Sequence, residues 1–141
     1  MAMRLFIDSD VVISSLLSSS GAAYFLLNQS PIKPVISSIS LKEQLMIVNR
    51  MGIDTKKLEI LIKNNFEVFT LTQDLKTVKK TYGRYVIDIN DAHIVAGAHN
   101  AKVKYLISYN LKHYKTDKIK DELNILLLTP ALFMQYLRSQ S

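Results

Sequence analysis

Apolar and polar positions alternate between two rhythms along the chain: short continuous apolar runs, and longer stretches with helical spacing. Residues 4–7 form the first run, a buried strand that stops at the polar cluster Asp8-Ser9-Asp10. That cluster supplies capping oxygens for a helix over 10–18. After the turn Ser18-Ser19-Ser20-Gly21, a second helix carries Ala22–Leu27. Pro31 and Pro34 flank the start of a second strand at Val35-Ile36. Ser40 is a cap for the next helix, in which Leu41, Leu45 and Val48 fall at helical spacing and which Gly52 ends. Asp54 or Thr55 caps a further helix to about Lys63. Residues 66–71 alternate like a strand, and 73–82 read as a basic helix closed by Gly83. A helix over 88–101 opens with acids and is rich in small residues (Ala92, Ala96, Gly97, Ala98). Two apolar strands follow at 105–108 and 126–128, and Pro130 suits the first turn of a last helix through Leu137. No internal repeat is present. Strands alternating with helices on short connections predict an α/β three-layer sandwich, with a mostly parallel central sheet flanked by helices.

Composition narrows this picture. A length of 141 residues suits one domain over 1–141, and 48% apolar against 21% charged residues is a globular balance that excludes wholesale disorder. The absence of cysteine excludes a disulfide scaffold, an iron–sulfur cluster and a thiolate zinc site. With only three histidines, any metal is expected on oxygen ligands. The first apolar run is too short for a signal peptide, and no run approaches the roughly 20 apolar residues of a membrane helix. A soluble, cytoplasmic protein without membrane contact is expected. The net charge of +6 is unevenly placed: residues 75–84 contribute +4, residues 102–120 contribute +5, and the rest of the chain stands at −3. Two basic segments on a slightly acidic body point to a polyanionic partner, against the alternative of solvated lysines on helix backs.

In open parallel sheets the site lies beyond the carboxyl ends of the strands. Asp8 ends the first strand, Glu43 lies one turn into the helix after the second, Asp91 opens the helix at 88–101, and Asn110 follows 105–108. Taken singly, each has a plain structural explanation as a helix cap, a solvated side chain or a partner of the helix dipole. Together they place three carboxylates in one cleft, whose repulsion a hard dication relieves. Mg²⁺ or Mn²⁺ on carboxylate oxygens lowers the pKa of a bound water and offsets charge on phosphate, which phosphodiester hydrolysis requires. His93 points about 200° around a regular helix from Asp91, and His99 lies on another face, so both are expected in structural or surface roles. Lys112, His113 and Lys115 are candidate phosphate contacts. Tyr82, Tyr85, Tyr109 and Tyr114 intersperse the basic segments with rings that either stack on bases or pack in the core.

The stretch from Leu5 to Ser14 resembles the opening motif of the PIN domain family, an apolar strand followed by Asp, Ser or Thr, and a small polar residue. Val35-Ile36-Ser37-Ser38 through Glu43 is similar to the family's second strand and acidic helix residue, and Asp91-Ala92-His93-Ile94-Val95-Ala96 to its third motif. Ser108-Tyr109-Asn110 resembles the fourth, and Leu127-Leu128-Thr129-Pro130 the closing strand and helix. The resemblance spans nearly the whole chain in order. It implies a metal-dependent ribonuclease, most often at this size the VapC-like toxin of a toxin–antitoxin pair, with an antitoxin protein and an RNA substrate as partners. It also implies an acidic metal site of Asp8, Glu43 and Asp91, with Ser9 orienting Asp8 and Ser108 supporting the fourth position. Asn110 departs from a full acid set, because its amide can ligate but brings no charge. Asp88 is a candidate to compensate, with capping as its alternative, and Asp10 is either a cap or an outer partner of the site.

Two other readings stand beside this one. Asp8-Ser9-Asp10 is similar to the opening motif of haloacid-dehalogenase-type phosphatases, in which Asp8 would be the nucleophile and Asp10 the general acid, but that reading gives Glu43 no task. The Asn110 departure also admits a catalytically weak PIN scaffold that binds RNA or protein. Four scattered glycines form no nucleotide-binding loop. The helices near 11–17 and 24–27 are apolar around most of their circumference, which predicts a homodimer covering part of that surface.

Overall fold

The computed structural model describes residues 2–140. Its framework is a five-stranded sheet of β1 (Met3–Ile7), β2 (Ile32–Ser37), β3 (Glu67–Phe69), β4 (Tyr105–Ile107) and β5 (Leu126–Leu128). The spatial order is β3-β2-β1-β4-β5 and every pairing is parallel. Pro34 lies inside β2 opposite Leu5, one residue before β3 begins to pair, so its missing N–H is tolerated there. Helices α1 (Ser9–Leu17), α2 (Ala22–Leu27), α3 (Ser38–Arg50), α4 (Thr55–Asn65), α5 (Leu75–Tyr82), α6 (Ala92–Asn100), α7 (Thr116–Leu123) and α8 (Pro130–Ser139) complete the three layers.

Strand alternation sorts the core into two faces. Phe6, Val35, Leu106 and Leu127 point toward a cluster with α5, α6 and α7. Leu5, Ile7, Ile36 and Ile107 point the other way, against α1, α2, α3, α4 and α8. Strands buried on both sides explain why they read as continuous apolar runs rather than alternating ones. The small residues of α6 bring it close to the sheet: a Cβ on Gly97 would stand 2.5 Å from the Phe6 ring.

The expected sandwich is observed, with a fully parallel sheet. Several local details differ from the sequence reading. Ser37 caps α3, accepting from the Ser40 N–H, so the helix starts before Ser40. Asp8 caps α1, Asp54 caps α4, and Asp74 caps α5. Gly83 leaves α5 in right-handed conformation and runs on into a 3₁₀ turn instead of stopping the chain. The stretch over 88–101 divides into a 3₁₀ turn, Ile89–Asp91, and then α6. Helix α7 is unanticipated, because only Ile119 of its eight residues is buried and the apolar stripe is too thin to read. It ends on Asn124 in left-handed conformation.

Candidate functional site

Because β1 is central, the chain first builds outward through β2 and β3, then returns to add β4 and β5 on the other side. The reversal leaves a crevice beyond the carboxyl ends of β1 and β4, where parallel sheets place their ligands. Asp8 sits at this point. Its N–H continues the ladder to the Ile107 carbonyl at 2.9 Å. Its carboxylate accepts from the Ser9 N–H (2.7 Å), the Ser108 hydroxyl (2.9 Å) and the Tyr114 hydroxyl (2.5 Å). Tyr114 is buried, and desolvation with the neighbouring Asp8 charge drives its pKa far up, so it remains a proton donor to that carboxylate.

Asp10 faces the same strand ends. Its Oδ2 accepts from the Tyr109 N–H (3.1 Å) and the Asn110 side-chain amide (3.0 Å), with the Ser108 hydroxyl 3.4 Å away. Its other oxygen is buried and has no hydrogen-bond partner. Burial first, and the Asp8 charge second, push its pKa up to about 6. Asn110 therefore spends its amide on Asp10 and its N–H on Ser108.

Glu43 reaches the site from α3. The Ser9 hydroxyl donates to it at 3.2 Å, and Ser9 in turn accepts from the buried Gln44 amide at 3.4 Å. His93, buried on α6, places Nε2 3.1 Å from the other Glu43 oxygen. That bond holds the Glu43 carboxyl below its ordinary range against the opposing effect of burial. Asp91 closes the 3₁₀ turn beside these groups, its pKa raised by burial and then by the charges of Asp8 and Asp88. His113 stands 4.0 Å from it. Asp88 accepts from the Asn90 N–H and so caps the turn. Lys112 and Lys115 are exposed on the loop after β4.

Asp8, Ser9, Glu43, Asp91, Ser108 and Asn110 thus meet at one edge of the sheet. Two of the expectations gain a partner that sequence did not show. His93 is buried in a structural role, and that role is a hydrogen bond to Glu43. Tyr114 is buried as expected of a core tyrosine, yet its hydroxyl serves Asp8. Asp10 carried a signal in its spacing from Asp8; the other two gave none, since their partners are 50 and 106 residues distant.

The donor chemistry fits a divalent cation. The groups are all oxygen donors, Asp10 has a buried oxygen to spare, and two carboxyls are driven upward by burial and then by the Asp8 charge. Among the described residues no set of three acidic or histidine side chains is already arranged to hold an ion.

A wholly parallel three-layer α/β domain with an acidic cleft at its topological switch point is the class that fold and site define. The model of the PIN domain family matches residues 4–112, and the chain belongs to that family. No curated protein sequence matches it. Among solved structures it is similar to a Rickettsia felis VapBC2 complex bound to a DNA fragment from its promoter (TM-score 0.67, 18% identity, covering 90% of this chain and 98% of that one). It is also similar to a toxin–antitoxin complex from Klebsiella pneumoniae (TM-score 0.63, 21% identity, 89% and 97% covered). A third likeness is to Mycobacterium tuberculosis VapC20, a sarcin–ricin loop cleaving toxin (TM-score 0.54, 17% identity, 72% and 86% covered). Family membership leaves the phosphatase reading without support. No helix among the described residues is long and apolar enough to cross a membrane.

Proposed function

We propose that residues 1–141 form a single metal-dependent endoribonuclease domain, the cytoplasmic toxin of a toxin–antitoxin pair. The observation that carries this reading is the cluster of Asp8, Asp10 and Asp91 at the switch point, where burial and mutual repulsion raise two of the three carboxyls. Mg²⁺ or Mn²⁺ held by Asp8, Glu43 and Asp91 would supply an acidified water and charge neutralisation at the phosphate. The protein's own groups do the rest. Tyr114 and Ser108 fix the Asp8 carboxylate, while Ser9 and His93 keep Glu43 ionised and oriented. Asn110, through Asp10, ties the loop after β4 to α1. Lys112, His113 and Lys115 stand where they can meet the RNA backbone. An antitoxin protein and a second copy of the chain are the expected protein partners.

The test is cleavage of a structured RNA with Mg²⁺ or Mn²⁺ present, comparing wild type with Asp91→Asn. The variant should lose at least 100-fold in rate (on the order of a lost charged catalytic group). Equal cleavage by both proteins would overturn the assignment. Binding of RNA by the wild type without any cleavage would favour the scaffold reading, for which the amide at Asn110 is the motivating observation.

A further inference from the structure

The lysines along the β5 side of the sheet are not scattered. Along the free edge of the sheet, beside β5, three hollows follow one another. The first, about 480 Å³, is lined by Lys112, Tyr114, Asp117 and Lys120 among others. It shares Lys120 and Leu126 with a second of about 300 Å³, which adds Lys104, Tyr105 and Asn124. That one shares Lys104 and Asn124 with a third of about 500 Å³, which adds Lys102, Tyr82 and His99. Shared walls make the three a continuous furrow. It begins at Tyr114, whose hydroxyl touches Asp8, and ends beyond the amino end of β4 at Lys102. Helix α7 forms one bank through Thr116, Lys120 and Asn124, one helical turn apart each.

The charge along this furrow is one-sided. Lys112, Lys120, Lys104 and Lys102 line it against the single acid Asp117. None of these lysines is in an ion pair among the described residues. The remaining acids of α7 include Glu122, which is engaged by Arg84 and by the Tyr85 hydroxyl. At the far end the exposed His99 ring is held edge to face against the buried Tyr82, whose hydroxyl is 2.7 Å from His99 Nδ1, so one fixed ring stands beside the lysines. Unpaired positive charge along a groove with a fixed ring at its end is the combination that holds a single nucleic-acid strand.

We propose that this furrow is a secondary RNA-binding track, in which Lys120, Lys104 and Lys102 hold the single strand flanking the scissile phosphate as it leaves the cleft along β5. An acidic peptide would satisfy the charges equally but has no use for the ring of His99 or for a start beside the cleft. The inference rests on RNA being the substrate. It assigns binding strength to residues on the opposite end of the sheet from the carboxylates.

The test measures binding of long and short fluorescein-labelled oligouridylates to Asp91→Asn protein, with and without Lys102→Gln, Lys104→Gln and Lys120→Gln together. All three lysines are exposed, and a thermal melt confirms the fold. The triple variant should bind the long oligomer roughly tenfold or more weakly, and its salt slope should shrink by about 2, near 0.7 per lost phosphate contact. The short oligomer, confined to the cleft, should be little affected. Lys56→Gln, Lys57→Gln and Lys63→Gln together, on exposed positions of α4, form the matched control and should bind both as the parent does. Unchanged long-oligomer binding in the triple variant overturns the track, as does loss of affinity for a polyglutamate competitor without loss for RNA. Tight, lysine-dependent binding by a wild-type protein that does not cut RNA would instead sustain the track and defeat the nuclease reading.

Discussion

At the scale of single residues, the site is governed by how each carboxylate is compensated. Glu43 has His93 and Ser9 and is easily ionised, whereas Asp10 has an unpartnered buried oxygen and sits near 6 against an ordinary 3.8. In metal-free protein the folded state therefore keeps a proton that the unfolded chain releases between those two values. Stability is unpenalised below the lower value, falls as pH rises through the interval, and stays reduced above it. Asp10→Asn removes the penalty while its amide oxygen can still accept from the Tyr109 N–H. With chelator present, the variant should melt above wild type at about pH 7.5, and the gap should close by about pH 4. A gap independent of pH would mean that Asp10 does not titrate in this way. The sequence showed Asp8 and Glu43 plainly because they follow strands. It hid His93 and Tyr114, whose partners are fixed only by tertiary packing.

Elements were legible in proportion to how much apolar surface each buries. Strands β1, β2 and β4 and the Thr129-Pro130 start of α8 stood out, since runs such as Leu5-Phe6-Ile7 are buried on both faces and the capping residues act locally, whereas β3, with no buried residue, showed only by its alternation. Helix α7 did not, having one buried side chain, and the cap of α3 was misplaced because Ser37, Ser38 and Ser40 are all suitable oxygens. The small-residue run in α6 had a visible pattern but no visible reason until Gly97 met Phe6. Gly97→Ala gains up to about 1 kcal/mol in helix propensity. It also forces a methyl to 2.5 Å from a fully buried ring, an overpacking that costs about 1–3 kcal/mol and outweighs the gain. Urea unfolding should show a net loss of about 1–2 kcal/mol, and Phe6→Leu should be less harmful in that background than alone. Additive effects would show that helix and sheet can separate without strain.

For the whole molecule, one stretch of exposed apolar surface lies on three helices that pack in series, α1 on α2 and α2 on α8. Leu17, Phe25 and Leu132 are 60%, 59% and 45% exposed on α1, α2 and α8, a surface a lone domain has no reason to keep apolar. Light scattering at micromolar concentration should give about twice the 16.0 kDa chain mass, and Phe25→Glu should return it to one. A monomeric wild type would count against the dimer. Charge is divided too: Lys102, Lys104, Lys112 and Lys120 line the β5 edge, while Asp8, Asp10, Glu43 and Asp91 meet at the strand ends.

The central position of β1 has a consequence in time. Asp8 is made early, but the groups that hold its carboxylate arrive 100 and 106 residues later, with Ser108 and Tyr114. At about 5–20 residues per second of synthesis, the first half of the cleft waits roughly 5–20 s for the second. Over that interval a growing chain carries the carboxylates without their arrangement, and any chain cut short before β4 never acquires it. Topology thus gives the site a built-in latency: its arrangement is complete only when nearly all of the chain has been made.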